Sequence, residues 1–339
     1  MATRAETNLT LADWAKRLNG QGKVEASDIV ELLSQSNEII DDQVWREGNL
    51  ATGTRLVMRT GLPTAYWRLF NDGVAMSKSR TAQVDEKCGM LEAWSEMDAK
   101  LANLDGDLNA TRLSEATAFI EAMNQEFAST LFYGNQSISQ EEFTGFSIRY
   151  SDTTAANGRN VLLAGGAGLD NSSIWLIGWG DHSCYGIFPK GSAAGLTHVD
   201  EGKVTIETPG NTANGKRLEV YREHWHWDCG LALKDWRYTA RTANIDISDL
   251  VANGASAADL TQYMVKMIHR IPKGARKSTK LAFYMNATCF EFLDIQRRED
   301  VKDGGQLAYN VVDGQAVMSF RGIPIRQVDA LTEAEAVVA

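Results

Sequence analysis

Tyr221-Arg-Glu-His-Trp-His-Trp-Asp-Cys-Gly230 reads in two incompatible ways, and the choice between them decides both fold and function. His224, His226, Asp228 and Cys229 crowd together as metal ligands do. The same residues alternate along an extended chain, and Trp225, Trp227 and Cys229 on one face would pack inward while the histidines meet polar neighbours. The run continues as Leu231-Ala-Leu-Lys-Asp-Trp-Arg-Tyr-Thr-Ala-Arg-Thr-Ala-Asn-Ile-Asp246, so two long strands broken near Gly230 are expected over 218–245. In a strand, His224, His226 and Asp228 share a face and chelation is permitted. Zinc, however, takes three or four ligands with supporting hydrogen bonds. The other imidazoles, His182, His198 and His269, stand in no ligand spacing with this pair.

Composition narrows the classes. With 339 residues, 44% hydrophobic and 23% charged, the chain can bury a large core and exceeds the usual length of one domain. No apolar run reaches the ~20 residues that span a bilayer, and Met1-Ala-Thr-Arg-Ala-Glu-Thr-Asn lacks a signal-peptide core. A soluble protein made in the cytosol, with no membrane partner, is expected. Cys88, Cys184, Cys229 and Cys289 are scattered, which suits idle thiols better than a disulfide or zinc framework. A net charge of -10 argues against a dedicated nucleic-acid binder. That charge is uneven. Between residues 55 and 80, five cations (Arg55, Arg59, Arg68, Lys78 and Arg80) face Asp72 alone, a net of +4. Between 85 and 107, seven carboxylates face two lysines, a net of -5. A basic segment beside an acidic one suggests self-complementary contacts, although two solvated faces would read the same way.

Along the chain, Thr10 with Asp13 forms a capping box for a helix over Leu11 to Leu18, and Ser27 caps a second through Leu33. Neither is stable alone, so residues 1–48 read as an arm that lies against something else, with Trp14 and Trp45 among its anchors. Thr54 to Thr60 and Val74 to Val84 have strand character around the turn signals Gly61-Leu-Pro63 and Asn71-Asp-Gly73, which predicts an extended hairpin with little core of its own. Leu113, Ala116, Ile120, Met123, Phe127 and Leu131 predict a long helix over 109–133, ~36 Å of rod. The segment 190–217 reads as a surface excursion with a short strand at Lys203 to Thr208. The last third turns to α/β. Ser256 caps a helix through Ile268, Leu281 to Met285 is a strand, Asn286 caps the next helix, and Asp313-Gly314 turns a hairpin. Gly322-Ile-Pro-Ile325 reads as an edge strand.

No chemistry emerges from the remaining motifs. Asp105-Gly-Asp107-Leu-Asn109 starts like a calcium loop but carries Ala110 and Ala116 where that loop needs Gly and Glu, so it reads as a turn and helix cap. Ala164-Gly-Gly-Ala-Gly-Leu169 matches neither phosphate-binding glycine pattern. No catalytic residue, cofactor or metal is assigned.

An arm, a basic hairpin, a spine helix, a long-stranded sheet and an α/β lobe, in that order, resemble the major capsid proteins of tailed bacteriophages, of the podophage-type branch in particular, with the HK97-like fold. The resemblance is carried by Glu31-Leu-Leu-Ser-Gln-Ser-Asn-Glu38, Thr60-Gly-Leu-Pro-Thr64 with Trp67-Arg68, Phe132-Tyr-Gly-Asn135 and Trp175-Leu-Ile-Gly-Trp-Gly180. Pro189-Lys-Gly191, Asp235-Trp-Arg237 with Asn244-Ile-Asp246, and Phe320-Arg-Gly-Ile-Pro-Ile-Arg326 add to it.

The resemblance implies an α+β chain with an N-arm at 1–48, an E-loop at 49–88 and a P-domain at 89–249 whose spine is the helix 109–133. An A-domain-like lobe at 250–325 and a C-terminal segment at 326–339 would follow. The strand ending in Gly322-Ile-Pro-Ile325 follows elements that it precedes in the best-known members, which implies a permuted order of segments. The implied function is a coat protein whose hexamers and pentamers close into an icosahedral virion head around double-stranded DNA, held without sequence-specific binding. The implied partners are the chain itself, portal and scaffolding proteins and a decoration protein. Trp14, Trp45, Arg55, Arg59, Arg68, Lys78 and Arg80 become the candidates for contacts between subunits. Two alternatives stay open: another phage structural protein, from a decoration or tail assembly, and a metal-dependent enzyme using His224, His226 and Asp228.

Overall fold

The computed structural model describes residues 9–16, 34–104, 107–207, 217–252, 257–274, 279–299, 307–312 and 315–339. The expected helix capped by Ser27 lies outside them. The chain divides into two compact units, each assembled from three stretches: Met1–Gln35, Met90–Phe127 and Gly195–Asp228 in the first, Ser36–Gly89, Ala128–Ala194 and Cys229–Ala339 in the second.

In the first unit, α1 (Leu11–Lys16) opens on the expected capping box. The Asp13 amide donates to Thr10 Oγ1 at 3.2 Å and the Thr10 hydroxyl donates to the Asp13 carboxylate at 2.6 Å. The side chain of Trp14 is outside the described residues. The long helix forms as its apolar spacing predicts, over Leu108–Tyr133, and Asp107 Oδ1 caps it by accepting from the Ala110 amide at 3.1 Å. The aromatic alternation of the opening stretch is its packing partner: Phe119 stacks on Trp225 at 5.3 Å and Phe127 on Trp227 at 4.4 Å. Two positions of the predicted stripe depart from it. Leu113 and Ile120 are 59% and 45% exposed, while Thr111 and Ser114 are buried instead. Periodicity fixes the angle of a stripe on a helix but not which side of it a sheet covers.

The excursion at 190–217 holds a longer strand than expected, Thr197–Glu207, paired antiparallel with Arg217–Leu233 from Thr197↔His226 to Glu207↔Arg217. The second of these is one strand with no break at Gly230. A Cβ there would stand 2.8 Å from the carbonyl oxygen of Lys87. The glycine marks a close backbone approach, which a sequence pattern cannot distinguish from a turn.

The second unit is built on the strand Asn171–Trp179, buried at all nine positions. It is flanked by two antiparallel neighbours, Thr239–Asp246 and Lys280–Met285. Burial on both faces explains its nearly continuous apolar run. On one side a single core joins Ile174 and Leu176 to Met264, Met267 and Ile268 of the helix Leu260–Arg270 and to Cys289 and Leu293 of the helix Ala287–Glu299. Trp175 and Trp179 carry an aromatic cluster with Phe132, Phe146 and Tyr150 at ring separations of 5.8–6.0 Å. Asn286 caps its helix as predicted, accepting from the Cys289 amide at 2.9 Å. The preceding helix is capped by Asp259, which accepts from the Gln262 amide at 2.9 Å, so the predicted start at Ser256 lay too early.

The terminal hairpin forms over Leu307–Val312 and Gln315–Phe320. The strand Ile323–Gln327 is interior: Ile323 and Pro324 pair with Phe320 and Ser319, and Ile325 to Gln327 pair in parallel with Phe283 to Met285. This corrects the expected edge. Pro324 is tolerated because it sits at the start of the strand, where a missing N–H costs least. Burial pushes the Cys289 thiol up to about 12 and raises that of Cys184 further.

Candidate assembly surface

The hairpin of the second unit pairs the strand Gly53–Gly61 with the strand Arg80–Lys87, in register from Gly53↔Lys87 to Arg59↔Thr81. The second strand begins at Arg80 and not at the expected Val74. Residues 62–79 form the outer loop, where the predicted turn is present: the Asp72 amide donates to the Leu69 carbonyl at 3.3 Å and Asn71 takes a positive φ of 65°.

Burial divides the hairpin sharply. At its root, Leu56 packs with Tyr185, Ile187 and Ala232. Beyond the root the outer loop carries Trp67, Phe70 and Met76 at 104%, 94% and 102% exposure, and Leu62 and Leu69 near 78% and 77%. A group of exposed apolar side chains on this scale is the kind of patch that marks an interaction surface. The cations stand among them: Arg59, Arg68, Lys78 and Arg80 are exposed and form no ion pair among the described residues, whereas Arg55 is bidentate to Asp85 within the hairpin at 2.6 and 2.7 Å. That pairing holds the Asp85 carboxyl below its ordinary range. Of the predicted contact residues the structure therefore gathers Arg59, Arg68, Lys78 and Arg80 on one arm. Trp45 lies apart, in a short strand beside Gly186, whose hydrogen leaves room for its ring. The exposed Trp67, Leu69, Phe70 and Met76 were missed. Their signal was present as the apolar run Tyr66-Trp-Arg-Leu-Phe70 inside a segment otherwise marked as turns.

The histidine stretch is packing. His224 stacks on Trp94 at 3.8 Å and on His226 at 5.1 Å, and its Nε2 lies 3.2 Å from Glu92. His198 stacks on Trp225 at 5.0 Å. Among the described residues no three His, Cys, Asp or Glu side chains converge on a point where a metal ion could sit. Several charges of the first unit are paired within it, with Arg112 reaching Glu223 and Asp200 at 2.5 and 2.7 Å and Arg222 reaching Glu96 at 2.6 Å.

A family model described as "Major capsid protein GP7" matches residues 19–339. The chain belongs to this capsid-protein family. The cryo-EM structure of bacteriophage Epsilon15 matches with 28% identity and a TM-score of 0.78 over 100% of both chains. Weaker likenesses include the encapsulin SrpI of Synechococcus elongatus at 11% identity, covering 70% of this chain and 97% of that one, TM-score 0.41. The capsid of a native GTA particle is 9% identical, covering 63% and 92%, TM-score 0.43. No curated protein matches. The fold of this major capsid protein is HK97-like, and its function is that of a coat protein, a structural component of the virion. Membership of the family replaces the metal-enzyme alternative for the histidine stretch. Among the described residues no helix is long and apolar enough to cross a membrane.

Proposed function

We propose that copies of this chain form hexamers and pentamers that close into an icosahedral shell around double-stranded DNA, each basic hairpin lying against a neighbouring copy. The carrying observation is that hairpin: exposed Trp67, Phe70 and Met76 interleave with Arg59, Arg68, Lys78 and Arg80 on an arm with no core of its own. Residues 1–48 then serve as the N-arm, 49–88 as the E-loop, 89–249 as the P-domain, 250–325 as the A-domain-like lobe and 326–339 as a C-terminal segment. Trp14, Trp45 and Arg55 belong to the same set of subunit contacts. Many such contacts, each weak, sum to a stable shell through multivalency. A net charge of -10 suits an enclosure that does not grip its DNA. Portal, scaffolding and decoration proteins are the further partners. Electron microscopy of the expressed chain, alone and with a scaffolding partner, should show closed shells. Monomers alone, in the infected cell as well as in vitro, would remove this reading.

A further inference from the structure

Of the charged side chains on the described hairpin, Glu86 alone is buried, at 7% exposure; the other eight are exposed. Its carboxylate accepts from both terminal nitrogens of Arg149, at 2.6 and 2.7 Å. Arg149 is fixed in turn, donating to the Thr144 carbonyl through Nε at 3.3 Å and Nη2 at 3.0 Å. The backbone closes the same joint. Gly53 has a φ of 151°, and a Cβ there would stand 2.1 Å from the Glu86 carbonyl oxygen.

We propose that Glu86 and Arg149 are a positioning pair that sets the direction of the hairpin and thereby the geometry of the shell. The inference rests on the reading of the hairpin as a contact between copies. A fork-to-carboxylate pair fixes both distance and plane, as the apolar packing around Leu56 cannot. Leverage makes that angle matter: the five steps from Leu56 to Gly61 extend ~17 Å, so a rotation of ~10° at the root moves their end by ~3 Å. The apolar tip lies farther out still.

The test pairs two variants of the full chain. Arg149→Lys keeps the charge and loses the fork. Glu86→Leu with Arg149→Met removes both charges at similar volume, so neither is left buried alone. Each is read by its thermal midpoint, by assembly rate and shell diameter, and by the distance between spin labels at Asp72→Cys and Leu163→Cys in a Cys88→Ser background. The expectation is a near-native midpoint, a label-distance distribution about twofold broader, and assembly about tenfold slower with uneven diameters, because the hairpin is no longer preorganised. A distance distribution as narrow as that of the native pair, with shells of native diameter at native rate, would overturn the proposal. Failure of both variants to fold would overturn it too, since the pair would then be a stability element. If the unmodified chain itself never assembles, the shell reading falls, while the label distances still decide whether the pair sets the hairpin's direction.

Discussion

Arg241 and Glu335 meet at 2.9 Å with only 3% and 5% of their surfaces in solvent. The pair is fully engaged: Arg241 donates to Ser173 Oγ at 3.0 Å and lies over the Trp175 ring at 5.0 Å, and Glu335 accepts from the Tyr133 hydroxyl at 2.6 Å. The C-terminal segment continues the same tie, with Asn244 and Val338 exchanging two hydrogen bonds at 2.8 and 2.9 Å. Arg241→Ala should therefore cost ~3–5 kcal/mol, because it leaves a buried carboxylate without its cation. Arg241→Met with Glu335→Leu should cost less than either single change, and denaturant unfolding of the unassembled protein measures the difference. A double variant less stable than both singles would contradict this account.

The long helix separates two kinds of apolar residue. Phe127 is 1% exposed and stacked on Trp227, so Phe127→Ala should lose ~3–5 kcal/mol through the cavity it leaves. Ile120→Ser, at an exposed position of the same predicted stripe, should stay within ~0.5 kcal/mol in the unassembled protein. Equal losses at the two positions, by chemical denaturation, would show that the helix buries the face its periodicity predicts.

Acid should weaken the fold through Asp200. Its hydrogen bond to Arg112 lowers its carboxyl below the ordinary value, so the folded state releases the proton more readily than the unfolded chain does. The resulting stability is present above the unfolded pKa, ~3.9, and is lost as pH falls toward the lowered value. Glu38 acts in the opposite sense: burial raises its carboxyl despite Arg326 nearby, so its contribution favours the fold at low pH and fades as pH rises through the raised value. Asp200→Asn should flatten the acid limb of a stability profile. A limb as steep as that of the unmodified chain would show that other carboxylates dominate it.

Reversing Arg59 and Arg68 to glutamate should slow assembly by about tenfold and change its salt dependence, since rim charges act chiefly on association. Both side chains are exposed, so the thermal midpoint of the unassembled chain should not move. Trp67→Ala should slow assembly at all salt concentrations, because its loss is apolar. Light scattering during assembly reads both effects, and native kinetics for the charge-reversed chain would sink the proposed contact.

Local patterns foretold what local energetics controls. The Thr10–Asp13 box, the Asp107 and Asn286 caps, the spine helix and the pairing of Leu307–Val312 with Gln315–Phe320 each rest on interactions within a few residues, and each was readable from the amino acids alone. The alternation through Trp225 and Trp227 likewise announced a packed strand. Gly230, Pro324 and Ile120 were misread because their roles depend on neighbours distant in the chain: the Lys87 carbonyl, the parallel strand at Phe283, and the packing that leaves Ile120 on the exposed side of the helix among the described residues. The same limit hid the exposed tip of the hairpin and its root. An apolar run predicts burial, and only the fold shows that Trp67 and Phe70 are left exposed among the described residues. Nothing in sequence spacing pairs Glu86 with Arg149, which lie 63 residues apart. By itself the sequence determined the local elements and the charge asymmetry, because short-range propensity and composition carry these, and its motifs carried the resemblance to capsid proteins. Only the tertiary structure decided which apolar and charged groups are left for a neighbour, because exposure is set by contacts between residues far apart in the chain.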